Sequence, residues 1–222
     1  PRLCSSAASD VYKRQIQDYL DYNFHQAFQK IHNYCANDLG GFYLDILKDR
    51  LYTSKQDSDA RRSAQLALSN ILQALLRWIS PILSFTAEEA WQSLDNEIKS
   101  VHLLEWFNDW VEIVDLKFSD EDWKEILELR SEVNKHIEEA RNNEIIGSSL
   151  DAEIEILCGD KLFNLFEEFN KELRFIFITS EAKAILNKID VSDENNKIQI
   201  TVKKSSNEKC VRCWHSRPEV GI

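Results

Sequence analysis

The sequence predicts a mainly helical protein, in which a helical bundle is followed by a small α+β domain. Two observations lead to this fold class. Apolar residues recur at helical spacing through most of residues 16–145. Beyond Gly147 the apolar residues alternate with polar ones, which is the pattern of a half-buried strand.

The first residues, 1–14, show no period and differ in composition from the rest of the chain. The chain contains no methionine and opens on Pro1, so we expect it to be a piece of a longer protein. We interpret 1–14 as a non-native tail of the kind left by sequencing-adapter read-through. A native disordered tail is the alternative.

The helix from Asp59 to Ile79 has the clearest pattern and is expected to be the centre of the bundle. Ser58 is among its cap candidates, and Pro81 ends it because a proline disfavours helical geometry in the residue before it. The apolar residues at i, i+3, i+4 and i+7 spacing predict a wide buried face. They are Ala64, Ala67, Leu68, Ile71, Leu72, Leu75, Trp78 and Ile79.

Three further helices complete the predicted bundle. The first covers Ile16–Leu39 and ends at Gly40-Gly41, where a left-handed residue is expected. The second covers Phe42–Tyr52. The third covers Ala87–Leu94 and would begin with a capping box formed by Thr86 and Glu89.

Between residues 95 and 119 the helical spacing of apolar residues becomes less regular. We expect Val101–Trp106 to be extended, and the aromatic residues in this region to dock on the bundle; these are Trp106, Phe107 and Trp110. A long helix, Asp120–Ile145, then begins at the cap residue Ser119 and stops at Gly147.

The small α+β domain is predicted from four segments. Alternation predicts a strand over 150–156, and a one-sided apolar pattern predicts a helix over Lys161–Leu173. Two more strands are expected at Arg174–Thr179 and 197–202, with a loop at 190–196 between them.

Composition excludes several classes of protein. No apolar run approaches the roughly 20 residues that cross a bilayer, and the start does not have the pattern of a signal peptide. Five irregularly spaced cysteines argue against a disulfide framework and for a reducing compartment, so we expect a cytoplasmic protein. The net charge of −11 argues against indiscriminate binding to nucleic acid but leaves room for a local basic face.

Cys210 and Cys213 form the only metal-type spacing in the sequence. Two thiolates at this spacing can hold one Zn²⁺, but a closed structural site needs four ligands. His215 is a candidate third ligand that lies close in sequence. We therefore predict half of a zinc site, with two free thiols as the alternative; a redox motif is disfavoured because no strand and helix flank it.

Basic residues concentrate around the bend near 53–58, beside the aromatic Tyr52. They are Lys48, Arg50, Lys55, Arg61 and Arg62, with Arg77 further along the central helix. Such a patch can meet phosphates and stack on a base. The alternative is a solvated helix face whose charges pair with nearby aspartates, namely Asp45, Asp49, Asp57 and Asp59.

The sequence shows no pattern of an active site. It has no Gly-rich phosphate loop, no nucleophile elbow and no supported Ser/His/Asp arrangement. We expect four parts: a tail at 1–14, a helical bundle at 15–118, a long helix with the α+β domain at 119–205, and a truncated zinc-knuckle segment at 206–222.

The amino-acid sequences of several segments resemble those of isoleucyl-tRNA synthetases of the bacterial type. These segments are 48–53 (KDRLYT), 61–65 (RRSAQ), 80–91 (SPILSFTAEEAW), 134–141, 146–150 (IGSSL) and 209–215 (KCVRCWH). The first three resemble the anticodon-binding helical bundle, which the valyl, leucyl and methionyl enzymes share. The Cys-x-x-Cys-Trp-His run favours the isoleucyl enzyme, whose C-terminal zinc motif has a second Cys-x-x-Cys that this chain lacks.

The resemblance implies a fold and a function. The fold would be a helical bundle of the class I synthetase anticodon-binding type, followed by the C-terminal junction. The whole enzyme attaches isoleucine to tRNA(Ile) with ATP and Mg²⁺, whereas this part would bind the tRNA as a monomer and would not catalyse the reaction itself. The tRNA-facing candidates are Arg50, Lys55, Arg61, Arg62 and Arg77, and the zinc ligands are Cys210 and Cys213. One alternative is a helical protein-interaction module without an RNA role, which the acidic balance favours. The other is the equivalent region of a valyl-, leucyl- or methionyl-tRNA synthetase.

Overall fold

The chain divides into two compact units, residues 1–114 and 115–222. A computed structural model describes residues 16–94, 98–108, 119–169, 172–187 and 198–220. The predicted tail at 1–14, Trp110 and the loop at 190–196 lie outside the described residues. Within the described residues, no helix is both long and apolar enough to cross a membrane.

The first unit begins with helical residues 16–20, a break at Tyr22 and helix α1, Phe24–Asn33. A π-helix, Tyr34–Tyr43, leads directly into α2, Leu44–Tyr52. Helix α3 covers Asp59–Ile79 and α4 covers Ser84–Gln92. A short 3₁₀ turn, Val101–Leu103, follows.

The central helix is confirmed at both ends. Ser58 caps it, because its side-chain oxygen accepts a hydrogen bond from the backbone N–H of Arg61 at 3.3 Å. The helix packs against α1, α2 and α4. Four of its buried residues, Ala64, Ile71, Ala74 and Trp78, join one core cluster with Tyr34, Tyr43, Leu47 and Phe107, while Leu76 packs with Ala87, Trp91 and Val101.

The predicted helix stop at Gly40-Gly41 is wrong. Neither glycine adopts the left-handed conformation, and the chain continues through both as a π-helix. In that wider helix a Cβ on Gly40 would lie only 3.1 Å from the carbonyl oxygen of Cys35. The glycines here permit close backbone packing, and the break in this region falls earlier, at Tyr22, whose φ is 59°.

Two other predictions for the first unit are corrected. Helix α4 begins at Ser84 rather than Ala87, and no side chain caps it, so the predicted Thr86–Glu89 capping box does not form. The segment predicted as extended begins instead with the 3₁₀ turn Val101–Leu103, which Ser100 caps through a bond from His102 N–H. The docking of Trp106 and Phe107 on the core is confirmed.

The second unit begins with α5, Asp120–Asn142, and a 3₁₀ turn, Ser149–Asp151. Strand β1 is Ala152–Cys158, followed by α6, Asp160–Phe169, and α7, Leu173–Phe177. Strand β2 is Glu181–Leu186 and β3 is Gln199–Lys204. Ser119 caps α5 as predicted, in a capping box completed by Asp122, but the helix ends before Glu144, whose φ is 59°, rather than at Gly147.

The three strands form one sheet in the order β2-β1-β3. Strand β1 pairs in parallel with β2, with Glu153 opposite Glu181, and antiparallel with β3, with Ile154 opposite Val202. The sheet is covered by helices, since α5 packs on β3 and α6 on β2. The predicted strand at Arg174–Thr179 is wrong: α7 occupies it, and the true strand β2 comes after it.

Candidate nucleic-acid interface

The bend between α2 and α3 is built by local hydrogen bonds from polar side chains. At its start the Thr53 hydroxyl and backbone N–H both donate to the Asp49 carbonyl, at 2.6 and 2.9 Å. At its end the Ser58 hydroxyl donates to the Lys55 carbonyl at 2.8 Å and accepts from Arg61 N–H. These bonds fix the backbone of the bend and therefore the positions of the charged residues on either side of it.

The structure brings four of the five predicted tRNA-facing residues, with Lys48, to this bend. We call Lys48, Arg50, Lys55, Arg61 and Arg62 the basic bend. Arg50 lies in the last turn of α2, Lys55 in the connection, and Arg61 and Arg62 in the first turn of α3. Because the connection between α2 and α3 is short, the residues of the basic bend lie at the same end of this helix pair.

Two of these cations pair with aspartates near the surface. Arg62 pairs with Asp57 at 3.1 Å and Lys48 with Asp45 at 2.5 Å. Hydrogen bonding to the Asp45 carboxylate raises the pKa of Lys48, so this side chain stays protonated across the neutral range. Exposed pairs of this kind contribute about 0–1 kcal/mol, so a phosphate can replace the aspartate at little cost.

Arg50 and Arg61 are the two half-buried residues of the basic bend. Desolvation lowers the pKa of the Arg50 guanidinium, and the nearby Tyr43 partly offsets this effect. An arginine nevertheless remains charged at neutral pH because its intrinsic pKa is so high. Arg50 therefore adds a positive charge that is less exposed than those of Arg62 and Lys55.

Tyr52 supplies an aromatic surface at the same place. It is the last residue of α2, and 70% of it is exposed. Its phenolic group adds a smaller contribution than Asp45 to the raised pKa of Lys48. An exposed ring beside cations is the combination that stacks on a base while its neighbours meet phosphates.

Arg77, the fifth predicted residue, is placed elsewhere. It lies sixteen residues beyond Arg61 on α3, which is about 24 Å along the helix axis. Its guanidinium lies 5.4 Å from the Trp91 ring and 5.2 Å from the Phe107 ring, and Nη1 donates to the Gln73 carbonyl at 2.8 Å. We call Arg77, Trp91 and Phe107 the arginine clamp; it joins α3 to α4 and to the segment before residue 109.

In the second unit, Cys210 and Cys213 lie in a hairpin that is closed by a bridge between Lys209 and Ser216. Within it, Cys210 N–H donates to the His215 carbonyl and Trp214 N–H donates to the Cys210 carbonyl, both at 2.9 Å. The backbone N–H groups of Cys213 and Arg212 donate to the Cys210 sulfur and lower the pKa of its thiol. This geometry suits a metal-binding thiolate.

The hairpin offers two ligands rather than a closed site. No group of three or more His, Cys, Asp or Glu residues in the described part of the chain could hold a metal ion. His215, the candidate third ligand, is buried against the Phe175 ring at 6.2 Å. The described residues therefore fit half of a tetrahedral zinc site.

The tip of this hairpin carries exposed residues that the sequence reasoning did not single out. Trp214 is 63% exposed with φ 64°, and Val211 is 94% exposed. The sequence singled out Trp214 only as part of the Cys-x-x-Cys-Trp-His run, and its exposure and positive φ are not visible in any periodicity. Trp214 and the neighbouring Arg212 form a second aromatic and cationic surface.

Comparison with known proteins gives a consistent result. The family model described as the anticodon-binding domain of tRNA ligase matches residues 2–156. An isoleucine–tRNA ligase of Acinetobacter baylyi is 44% identical over 215 residues, and those of Legionella pneumophila (strain Corby) and Shewanella sp. (strain ANA-3) are 45% and 44% identical. These alignments cover 93–96% of this chain but only 22–23% of each relative.

Proposed function

This chain belongs to the family of anticodon-binding domains of tRNA ligases, and we propose that it is the tRNA-binding part of an isoleucine–tRNA ligase. The observation that carries the proposal is the 44% identity to isoleucine–tRNA ligases over 96% of the chain. The cognate partner would be tRNA(Ile), bound by a monomer in the cytoplasm.

The basic bend is the proposed contact with the RNA backbone. Arg61, Arg62 and Lys55 offer cations at one end of α3, and Tyr52 offers a ring beside them. Phosphates would displace the exposed aspartates from their cations and release counterions, which supplies affinity without sequence selectivity. We also propose contributions from Arg50 and Arg77. Arg50 would add to the positive electrostatic potential of the basic bend, and Arg77 would act through the arginine clamp.

The chemical steps are assigned to the rest of the protein. The chain spans about a quarter of the length of the relatives that it matches. We propose that the remainder activates isoleucine with ATP and Mg²⁺, while this part orients the tRNA so that its acceptor end reaches the distant reaction centre. Positioning of this kind raises the effective concentration of the reacting groups.

Zinc enters the proposal through the hairpin. Cys210 and Cys213 would supply two of four thiolate ligands, and a further pair from the longer protein would close the site. The bound ion would hold Trp214 and Arg212 in place beside the RNA. The backbone N–H groups that donate to the Cys210 sulfur support this assignment.

The experiment is the salt dependence of tRNA(Ile) binding to the whole chain. We expect Arg61→Ala/Arg62→Ala to weaken binding and to reduce the slope of log K against log salt by about 2. The matched control is Lys124→Ala/Lys135→Ala, which removes the same charge from exposed positions on α5. This control should leave the slope nearly unchanged.

Two outcomes would count against the proposal. If both double variants change the slope equally, the basic bend is not the contact surface. If the wild-type chain does not retain tRNA even at low salt, the protein-interaction alternative gains support, as its net charge of −11 would suggest.

A further inference from the structure

The hairpin that carries Cys210 and Cys213 is attached to the α+β domain at both of its ends. We call Lys209–Ser216, the span closed by the isolated bridge, the metal hairpin. Its C-terminal end is held by Ser180, whose Oγ accepts a hydrogen bond from the Ser216 backbone N–H at 2.6 Å. Ser180 lies between α7 and β2 and is fully buried, so this bond is shielded from water.

Ser180 also joins the metal hairpin to the central strand of the sheet. Its hydroxyl donates to the Leu150 carbonyl at 2.5 Å, and its backbone N–H donates to the Ala152 carbonyl at 3.0 Å. Ala152 is the first residue of β1. One buried residue therefore makes two bonds to the start of β1 and a third to the end of the hairpin. Loss of the hydroxyl would leave buried polar groups without partners, which is costly.

The N-terminal end of the metal hairpin is held by Asp151. The Lys209 ammonium group donates to Oδ1 of this carboxylate at 2.8 Å. Its other oxygen, Oδ2, accepts from the backbone N–H and the hydroxyl of Ser148, at 2.8 and 2.9 Å. Asp151 is thus fixed in the capping box of the 3₁₀ turn before β1. Both ends of the hairpin are therefore held beside the start of the same strand.

His215 adds packing to these polar contacts. It is 5% exposed, and its ring lies edge-on to the Phe175 ring of α7, with the centroids 6.2 Å apart. The neighbouring Trp214 is 63% exposed. The metal hairpin therefore has a buried base and an exposed tip, and contacts at the base determine where its backbone lies.

Many small zinc sites depend on the ion for their fold, because little else orders the ligands. In the metal hairpin the contacts at Ser180 and Asp151 join hydroxyl, carboxylate, ammonium and backbone groups. They leave the sulfur atoms of Cys210 and Cys213 available while they fix the backbone that carries them. Groups behind the ligands that fix their orientation increase metal affinity, since less conformational entropy is lost on binding.

We propose that Ser180 is the main positioning residue of the metal hairpin, so that the α+β domain, rather than the ion, forms the half-site. Asp151 is a second and weaker positioning residue, which acts through Lys209. The inference rests on the zinc assignment of the proposed function and deepens it. The ion would join a preformed pair, Cys210 and Cys213, to the further ligands of the longer protein.

The test is amide hydrogen exchange of the whole chain in the presence of a chelator, so that no ion contributes. Residues 208–217 are compared with α5, which belongs to the same unit. We expect protection in the wild-type chain at the bonded N–H groups of Cys210, Trp214 and Ser216. Ser180→Ala should speed exchange of the hairpin about tenfold relative to α5, because the Ser216 N–H loses its buried acceptor.

Thr179→Val is the matched control. Thr179 is also fully buried, and its hydroxyl donates to the Glu181 carbonyl at 3.1 Å, within the domain. The variant removes a buried hydroxyl beside Ser180 at nearly constant volume. The ratio of hairpin exchange to α5 exchange should stay at its wild-type value.

Lys209→Ala keeps the inference testable if Ser180→Ala does not fold. The Lys209 side chain is 45% exposed, so its loss should not unfold the chain. Exchange of the hairpin should rise about threefold, since a partly exposed ion pair contributes little. Lys209→Arg keeps the pair with Asp151 and should exchange like the wild type.

A titration with Cd²⁺, which thiolates bind strongly, measures the effect on metal binding. The readout is the thiolate-to-metal charge-transfer absorbance, taken as the difference from the Cys210→Ser/Cys213→Ser variant. Ser180→Ala should bind Cd²⁺ about tenfold more weakly but reach the same absorbance per bound ion, because its ligands are unchanged.

The outcomes separate the role of Ser180 from the zinc assignment. Equal acceleration of the hairpin and α5 in Ser180→Ala would mean that Ser180 only stabilises the domain, which would overturn the inference. An equal change of the ratio in Thr179→Val, or an unchanged Cd²⁺ affinity in Ser180→Ala, would do the same. A wild-type chain with a protected hairpin, but with no more Cd²⁺ absorbance than the double-cysteine variant, would instead overturn the zinc assignment.

Discussion

Helix α3 carries Arg61 and Arg62 in its first turn and Arg77 near its last, and the two ends use arginine differently. At the first turn, Arg62 is exposed and pairs with Asp57, which is also exposed. At the last, the Arg77 guanidinium lies beside the Trp91 and Phe107 rings and donates to Gln73. The first end can exchange its partners for phosphates, whereas the second uses its charge to hold the fold.

The surroundings of a basic residue, rather than its presence, indicate its role. The two aromatic rings beside Arg77 partly desolvate it, and cation–π attraction strengthens as water is removed. Around Arg62 the charges remain in water, where an ion pair adds little to stability. Stability and RNA affinity should therefore respond separately to substitutions at the two ends.

The largest expected effect is the loss of the arginine clamp. Arg77→Ala should lower the free energy of unfolding by about 2 kcal/mol, because two cation–π contacts and the bonds to Gln73 are lost. Urea titration measures this change. Arg77→Lys should lose less, since it keeps the charge, whereas Arg61→Ala should stay within about 0.5 kcal/mol of the wild type.

Equal losses for Arg77→Ala and Arg61→Ala would remove the distinction between the two ends. A destabilised Arg77→Ala chain whose affinity for tRNA, measured well below its melting temperature, is unchanged would place Arg77 outside the interface. A drop in affinity without a drop in stability would instead support direct contact with the RNA.

The next effect concerns the ring beside the basic bend. Tyr52→Ala should weaken tRNA binding about tenfold, since stacking on one base contributes about 1–3 kcal/mol. Stability should hardly change because 70% of the residue is exposed. Tyr52→Phe keeps the ring and should bind like the wild type in a filter-binding titration.

Tyr22→Ala is the control for a general loss of exposed aromatic surface. Tyr22 is 80% exposed and lies before α1, outside the bend. If both alanine variants weaken binding equally, stacking at Tyr52 is not the cause.

Sequence periodicity predicted the parts of the molecule that packing controls. The bounds of α3, the Ser119 cap and the docking of Phe107 depend on apolar spacing and on side chains that satisfy their own helix ends. The basic bend was also visible, because its residues are close in sequence. Periodicity could not show how deeply each cation is buried, which separates Arg77 from Arg62.

The misplaced elements share a physical cause. Residues 174–179 are apolar enough to be a buried strand, but the Arg130 side chain donates to the Ile176 carbonyl, and this tertiary contact favours a short helix. The true strand, β2, is rich in residues without a strong strand preference and depends on its pairing with β1. The exposure of Trp214 likewise could not be predicted from the local sequence pattern.

A smaller effect is expected from the cap that organises the bend. Ser58→Ala should lower the free energy of unfolding by about 1 kcal/mol, because Arg61 N–H loses its acceptor at the start of α3. Ser58→Asn should restore most of it, since asparagine is an equally good cap. Ser63→Ala serves as the control, because Ser63 lies on the same helix but donates only to the Ala60 carbonyl within it.

Thermal unfolding measured by circular dichroism distinguishes these cases. A Ser58→Ala chain as stable as Ser63→Ala would mean that the cap does not order the bend. In that event the emergence of Arg61 and Arg62 would have to depend on the packing of α3 alone.

The smallest effect is expected from removing a competitor of the RNA. Asp57→Asn frees Arg62 from its ion pair, so the affinity for tRNA should rise about threefold while stability stays within about 0.5 kcal/mol. Glu128→Gln removes an equivalent charge from the other unit, where Glu128 faces Lys124 at 4.0 Å. If the effect comes from the local release of Arg62, only Asp57→Asn should raise the affinity for tRNA. Equal rises for both variants would show that overall charge, and not the basic bend, governs the affinity.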